Sequence, residues 1–532
     1  MMNSNKWVKK SIVLGLALST IAINTATAKT PASTLVVAKN IDDLVSLDPA
    51  QIYEFTGGEL ANNIYDQLVE YTAKDSETLV SSIASSWTVD PKTHSITFHL
   101  DQGATFASGN DVTADDVIYS FHRVLQLNKT PAYVIKQLGW TSENFDSKVK
   151  KVDDDTLQVF YKEGTSPDFT LNALTATAAS IVDSQEVKRH DKNGDYGNAW
   201  LNKHSAGSGP FALRIWKPNN TVVLTQNKNW WEGEQVLKQV VYRHIAEPTT
   251  QRIMLEKGDI DIARGLGPDQ IQAIKENRDI QVNTYPQAAV YFFSFNVKNE
   301  KFNDPKLWKA VKYLIDYQGM TDSFLKDQFK VHQAFWPSGM PGALNENLYS
   351  LDVEKAKAIL KEANQEGLTL SMDYINGEPF NSMAQSIQAT FAQAGIQLNL
   401  VPGTGNQVIT KYRARTHESI LLYWAPDFID PHSNAKSFAY NADNNDSAYV
   451  STTTWRNGWQ DTALNAKVEA ALQESNRETR LAMYRDLQKE VMDNSPFSIM
   501  FQNQEQSALR NNVQGYEQGT NNHQIYYHNV SK

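Results

Sequence analysis

The sequence predicts an α/β protein with at least two packed lobes, and three observations carry that prediction. The first is length, since 532 residues exceed the roughly 100 to 200 that one hydrophobic core organises. The second is composition: 41% hydrophobic and 10% aromatic residues are the proportions of a globular chain. The third is the order of patterns between residues 368 and 424. Leu368, Leu370, Met372 and Tyr374 alternate onto one face, as in a strand. Met383 to Ala394 has an amphipathic helical period and ends at Gly395, a residue suited to the positive φ of a helix C-cap. Ile396 to Val401 reads as the next strand, Val408 to Thr416 as a helix and Ser419 to Trp424 as a strand. Strand, helix, strand, helix, strand is a parallel α/β unit, and such sheets bind ligands beyond the carboxyl ends of their strands.

Composition also excludes function classes. The formal charge of −10 argues against nucleic acid, whose phosphates need a basic face. The chain has no cysteine, so disulfides, thiolate metal sites, cysteine nucleophiles and a lipid-modified cysteine anchor are all out of reach. The 11 histidines are scattered without metal-ligand spacing, and no cofactor is expected. Met1 to Ala28 has the pattern of a secretory signal peptide. Lys6, Lys9 and Lys10 precede an apolar run from Ile12 to Ile23, and Ala26-Thr27-Ala28 supplies small residues before a cleavage at Lys29. That run is shorter than the roughly 20 residues a membrane span needs, so the mature chain is expected to be exported and free, in a periplasm.

From Lys29 onward, Ser33 to Ala38 reads as a buried strand and Glu59 to Tyr71 as a helix, with apolar residues at Leu60, Ile64, Leu68 and Val69. Ser95 to Leu100 alternates as a strand. Thr113 and Asp116 have the spacing of a capping box opening a helix. In this region the chain resembles a known family. Leu47-Asp48-Pro49-Ala50, the run 81–90 (SSIASSWTVD) and the run 96–125 (ITFHLDQGATFASGNDVTADDVIYSFHRVL) follow one another as in periplasmic solute-binding proteins that serve ABC importers for peptides, dipeptides and nickel. Further blocks continue in the same order: Gly207 to Phe211, Asn229-Trp230-Trp231, Lys257 to Ala263, Phe295-Asn296, Phe302-Asn303-Asp304, Ala310 to Asp316, Asp352 to Leu360 and Asn494 to Phe497.

The resemblance implies two α/β lobes joined by a pair of hinge strands, with a smaller subdomain elaborating the first lobe. On that pattern the first lobe spans residues 29–287 and carries the inserted subdomain at about 73–200. The second lobe spans 288–503, and 504–532 returns to the first. Val290 to Asn296 and Phe497 to Phe501 are the expected hinge crossings. The implied partners are a small peptide or other amine-bearing solute and a permease in the inner membrane, with the binding protein itself a monomer.

The ligand is expected at residues 421–431 (LLYWAPDFIDP), where an apolar, aromatic run breaks at a proline and delivers Asp427 beside Trp424 and Phe428. Burying that carboxylate without a cation costs several kcal/mol by common estimates of order, so Asp427 either stays wet or receives something positive. By local pattern alone, Asp427 and Asp430 are simply caps of the next turn. The resemblance implies more, because Trp424 and Asp427 match a Trp and, three residues later, the Asp that takes a peptide's α-ammonium group. Tyr423 and Phe428 complete the second lobe's aromatic wall, and the turn containing Thr56 and Gly57 is the first lobe's expected contribution.

One departure bears on the ligand. Family members carry an arginine for the peptide carboxylate where this chain has Leu421, or near the start of the preceding helix, where it has Asn381-Ser382-Met383. Arg413, Arg415 and Arg456 are the candidate substitutes, with Arg456 foremost because Trp455 and Trp459 flank it in a loop-like stretch. A ligand other than a peptide, such as an opine or modified amino acid, stays open. So do two alternatives: a secreted hydrolase using the pairs Asp427 and Asp430 or Asp259 and Asp261, and a nickel or metal-chelate receptor.

Overall fold

The computed structural model describes residues 30–532 except 77, 427, 449–451 and 522–523, and for 406 the backbone only. The signal-peptide expectation at Met1 to Ala28 and the proposed anchor Asp427 lie outside the described residues.

A sheet of eleven strands runs through the molecule, and two long strands at its middle organise the rest. Ile280–Phe295 and Phe497–Arg510 pair antiparallel along their length, with a register shift between Pro286 and Val290. On one side of that shift the pair continues through Ile262–Arg264 to Thr34–Lys39, Gln239–His244, Thr221–Gln226 and Phe211–Lys217. On the other side Val290 to Phe295 pairs with Ser419–Trp424, which is followed by Thr369–Ile375 and Gln397–Gly403. The division proposed between the lobes falls at this shift. The hinge elements are longer than the apolar runs Val290 to Asn296 and Phe497 to Phe501, because polar residues such as Asn283, Gln504 and Gln506 also join the ladder. Ladder pairing uses backbone groups, so an apolar pattern sees only the half of each strand buried in a core.

The α/β unit has the predicted order. Thr369–Ile375 is parallel to both Gln397–Gly403 and Ser419–Trp424, with helices Phe380–Gln393 and Gly405–Arg413 as crossovers. Gly395 has φ +79°, as its C-cap role requires. The core of this half is built on Phe292, Phe293, Met372, Ile387, Phe391 and Leu421, each shielded from solvent. A separate core, with Phe98, Val117, Phe121, Trp140 and Leu157, lies under the four-stranded sheet of Ala84–Asp90, Ser95–Leu100, Thr156–Phe160 and Val149–Asp153. Helix Ala114–Leu127 opens as its capping pattern predicts: the Asp116 carboxylate accepts from the Thr113 backbone N at 3.0 Å and from Thr113 Oγ1 at 2.8 Å.

One element differs from its expectation. The helix read at Glu59 to Tyr71 is instead Phe55–Ile64, followed by the short strand Val69–Glu70. Leu68 and Val69 fit a helical period, but they pack into the subdomain core while Leu60 and Ile64 belong to the first-lobe core. Two cores cannot be filled by one face of one helix, and the chain turns between them. Among the described residues no helix is long and apolar enough to cross a membrane.

Candidate ligand-binding cleft

A cavity of about 390 Å³ lies between the two halves of the molecule, at the carboxyl end of Ser419–Trp424. That volume is at the lower end of the range typical of small-molecule sites. The first-lobe side supplies Tyr53, Glu70, Tyr71, Tyr133 and Tyr526, and the second-lobe side supplies Tyr412, Arg413, Tyr423, Trp424 and Arg456. Aromatic rings thus face each other across the gap, with acid on one wall and arginine on the other.

The strand end carries the site because its residues alternate. Leu421 is buried in the second-lobe core, whereas Tyr423 is 42% exposed and stacks on Tyr291 at 5.6 Å between ring centroids. Trp424 lines the cavity, and its indole N–H, shielded from solvent, has no hydrogen-bond acceptor among the described residues. Pro426 and Phe428, the chain neighbours of Asp427, both line the cavity as well. Phe428 goes further, for it packs edge-on against Phe169 at 5.7 Å and joins the subdomain core. The segment after Trp424 therefore reaches across to the other half.

Asp430 completes that crossing. Its carboxylate accepts two hydrogen bonds from Arg480, at 2.8 and 2.9 Å, and one at 2.8 Å from Asn172 Nδ2 of the subdomain. It also caps helix Pro431–Phe438 by accepting from His432 N at 2.8 Å. Burial by itself would raise the Asp430 pKa; Arg480 reverses that and holds it below the usual carboxylate value. Nearby, Ser166 N donates to Leu472 O at 2.7 Å and Arg477 lies 3.5 Å from Asp168. Segment 166–172 of the first half is thus in contact with the second half through Asp430, Leu472 and Arg477.

Arg456 is the cation that sequence spacing proposed, and its surroundings are unusual. It is only 8% exposed, yet its guanidinium forms no hydrogen bond or ion pair among the described residues. What holds it are rings: Tyr412 at 5.2 Å and Trp424 at 5.8 Å from the guanidinium carbon. Burial lowers its pKa from the ordinary arginine value. Arg415, in contrast, is engaged with Asp446 at 2.8 Å and with Asn444, and Arg413 lines the cavity from an exposed position.

Three of the residues expected at the site do not line this cavity. Trp455 is buried, donates its indole N–H to Asn445 O at 3.0 Å and lies under Arg415, with 4.4 Å from guanidinium to ring. It shares the short helix Thr453–Arg456 with its neighbour, and successive helical residues project about 100° apart, so both cannot face one cleft. Gly57 and Thr56 belong to the first turn of Phe55–Ile64 and are buried. A Cβ at Gly57 would come within 3.0 Å of Ile52 Cγ2, so its glycine serves close packing against the preceding loop. Thr56 lines a different cavity beside Asp43, Glu59 and Arg264. Residues missed at the sequence level are Glu70, Tyr53, Tyr71, Tyr133 and Tyr526. They come from segments far apart in the chain with no local motif.

Two of the four acids named for hydrolysis are engaged elsewhere. Asp430 is paired with Arg480, and Asp261 accepts from Lys532 Nζ at 2.7 Å and Val36 N at 2.8 Å. Among the described residues no group of three or more metal-ligating side chains is present.

A cleft at the carboxyl end of a parallel unit, spanned by two long shared strands, is the geometry of a protein that closes on a solute. Comparisons with known proteins agree. The family model for bacterial extracellular solute-binding proteins, family 5 middle, matches residues 78–446. The chain is 27% identical over 526 residues to the probable D,D-dipeptide-binding periplasmic protein DdpA of Escherichia coli K12, covering 96% of this chain and 97% of that one. It is 26% identical over 536 residues to the dipeptide-binding protein of the same organism, covering 96% of each. Its fold is similar to the structure of HbpA2 from Haemophilus parasuis, with a TM-score of 0.79 at 21% identity over 94% of this chain and 99% of that one. With the match spanning well over half its length, this chain belongs to family 5 of the bacterial extracellular solute-binding proteins, whose work is binding rather than turnover.

Proposed function

We propose that the chain is the substrate-binding component of an ABC importer, released into the periplasm after removal of residues 1–28, and that it delivers a small peptide to an inner-membrane permease as a monomer. The single observation that carries the peptide reading is Arg456. A buried guanidinium without a carboxylate is costly, and a ligand carboxylate arriving in the cavity supplies the missing charge-assisted hydrogen bonds. Asp427, between the cavity-lining Pro426 and Phe428, is the proposed partner for the ligand ammonium group, with Trp424, Tyr423 and Phe428 packing its apolar parts. The two curated relatives named for dipeptides support the same ligand class.

Closure follows from this arrangement. A ligand touching Arg456 on one half and the tyrosines of the other stabilises the closed form only through contacts made to both, which is what a permease can read. The test is a thermal-shift screen with di- and tripeptides of L and D configuration, single amino acids, opines and nickel with histidine. A melting temperature raised by peptides, because they bind only the native state, supports the reading. A shift confined to nickel–histidine or to opines, or none with any peptide, overturns it.

A further inference from the structure

We propose that Glu70 forms a second charged subsite in this cleft, a receptor for a cationic side chain, so that the preferred ligand is a small peptide bearing a lysine-like amine. This rests on the peptide reading above and adds to it the class of side chain.

The geometry begins with an exception. The buried carboxylates of this molecule have partners: Asp48 meets Arg123 at 2.7 Å, Glu59 meets Arg264 at 2.6 Å and Lys39 at 2.9 Å, Asp261 meets Lys532 and Asp430 meets Arg480. Glu70 lies at the end of the strand Val69–Glu70, partly exposed to the cavity, and among the described residues it has neither a hydrogen-bond donor nor a cation. Its titratable neighbours make the position less comfortable. Asp66 and Glu232 are acids, Tyr526 is a phenol, and none brings positive charge. The indole N–H of Trp231 reaches Asp66 only at 3.5 Å.

Burial in first place, then the charges of Asp66 and Glu232, push the Glu70 pKa up to about 8. Glu232 is pushed up to about 7, again chiefly by burial and then by Asp66. A wall of acids without a cation is not by itself a site. The independent observation is Arg456, a residue more than nine-tenths buried that lines the same cavity, whose Nε is shielded without an acceptor and whose guanidinium has no counter-charge among the described residues. One cavity thus holds a carboxyl group without a partner on the first-lobe side and an unmet positive group on the second-lobe side, among the described residues. A ligand with a carboxylate for Arg456 and an extended amine for Glu70 satisfies both and ties the lobes together.

Isothermal titration of the full mature chain with glycyl-lysine and glycyl-norleucine tests this, since the two differ in side-chain charge at similar length. The lysine peptide is expected to bind about tenfold or more tightly than the norleucine peptide, and Glu70→Gln to bring the two within roughly twofold. Repeating the titration at pH 7 in buffers of different ionisation enthalpy should show proton release with the lysine peptide alone, lost in Glu70→Gln, because the carboxyl ionises as the amine arrives. Equal wild-type affinities, or a preference that survives Glu70→Gln, overturns the subsite; the wild-type comparison decides even if the variant fails to fold. If neither peptide binds, the peptide reading has failed, and 1,5-diaminopentane then tests Glu70 separately. A melting shift present in wild type and absent in Glu70→Gln sustains the cation subsite, and no shift overturns it.

Discussion

Arg480 and Arg456 are both buried arginines of the second lobe, and they live in opposite circumstances. Arg480 has its carboxylate: Asp430 takes both terminal guanidinium nitrogens, Asn172 Nδ2 and His432 N donate to the same carboxylate, and the pair is shielded almost completely. Arg456 has rings around it and no acid. The difference teaches how to separate an ion pair that belongs to the fold from a charge held ready for a ligand. In the first case desolvation is offset within the chain. In the second it is left for an incoming molecule to offset, which links binding to the presence of a carboxylate.

The largest expected effect lies at the completed pair. Asp430→Ala leaves Arg480 buried and alone, which should cost about 3 to 5 kcal/mol of stability, read as a lowered midpoint in urea unfolding. A loss below about 1 kcal/mol would erase the distinction between the two arginines. Acid should act at the same place. His432, beside this pair, is pushed down to about 3, chiefly by burial, from an ordinary value of 6.5. It is neutral in the fold while the unfolded chain takes up a proton below 6.5, so stability is complete above that pH and declines as pH falls towards 3. His332 and His417, both pushed down to about 4 mainly by burial, add in the same direction. Asp430 contributes further loss only below about 4, where its carboxylate protonates in the unfolded chain first. Glu70 and Glu232, pushed up to about 8 and about 7, take up protons first in the folded chain and oppose this fall, so the histidine contribution is read by difference: between pH 6.5 and 4 the melting temperature of His432→Asn should fall less steeply than that of wild type, and equal slopes would contradict this account.

At the unmet charge the expected effects are on affinity. Arg456→Gln should weaken a peptide by about 2 kcal/mol, roughly thirtyfold, while leaving the melting temperature of the empty protein unchanged or higher. A destabilised protein would show that Arg456 is structural after all. Asp427→Asn should weaken an ammonium-bearing ligand by about tenfold, about 1.4 kcal/mol, with the fold intact. The smallest effect is expected at Trp455→Phe, since that indole faces Arg415 and Asn445 rather than the cavity. Peptide affinity there should stay within roughly twofold of wild type, and a larger loss would put Trp455 back at the site.

The legibility of the chain followed the reach of each signal. Leu370, Met372, Ile387 and Leu421 are buried at strand and helix spacing, so the parallel unit could be read from alternation and helical period alone. The helix at Glu59 to Tyr71 was misplaced because Leu68 and Val69 serve a different core from Leu60 and Ile64, a fact no local period contains. Trp455 and Arg456 adjoin in sequence, yet helical geometry sends one into the interior beside Arg415 and the other into the cleft.

By itself the sequence determined the α/β class, the order of elements from Leu368 to Trp424 and the family, since these rest on periodic burial and on blocks of residues in order. Only the tertiary structure decided that Glu70, Tyr133 and Tyr526 face Trp424 and Arg456 across one cavity, and that Arg480 is paired where Arg456 is not. The physical reason is that a charge is met or unmet according to what lies within a few ångströms of it in space, and those neighbours come from separate segments of the chain, 50 residues apart for Arg480 and Asp430.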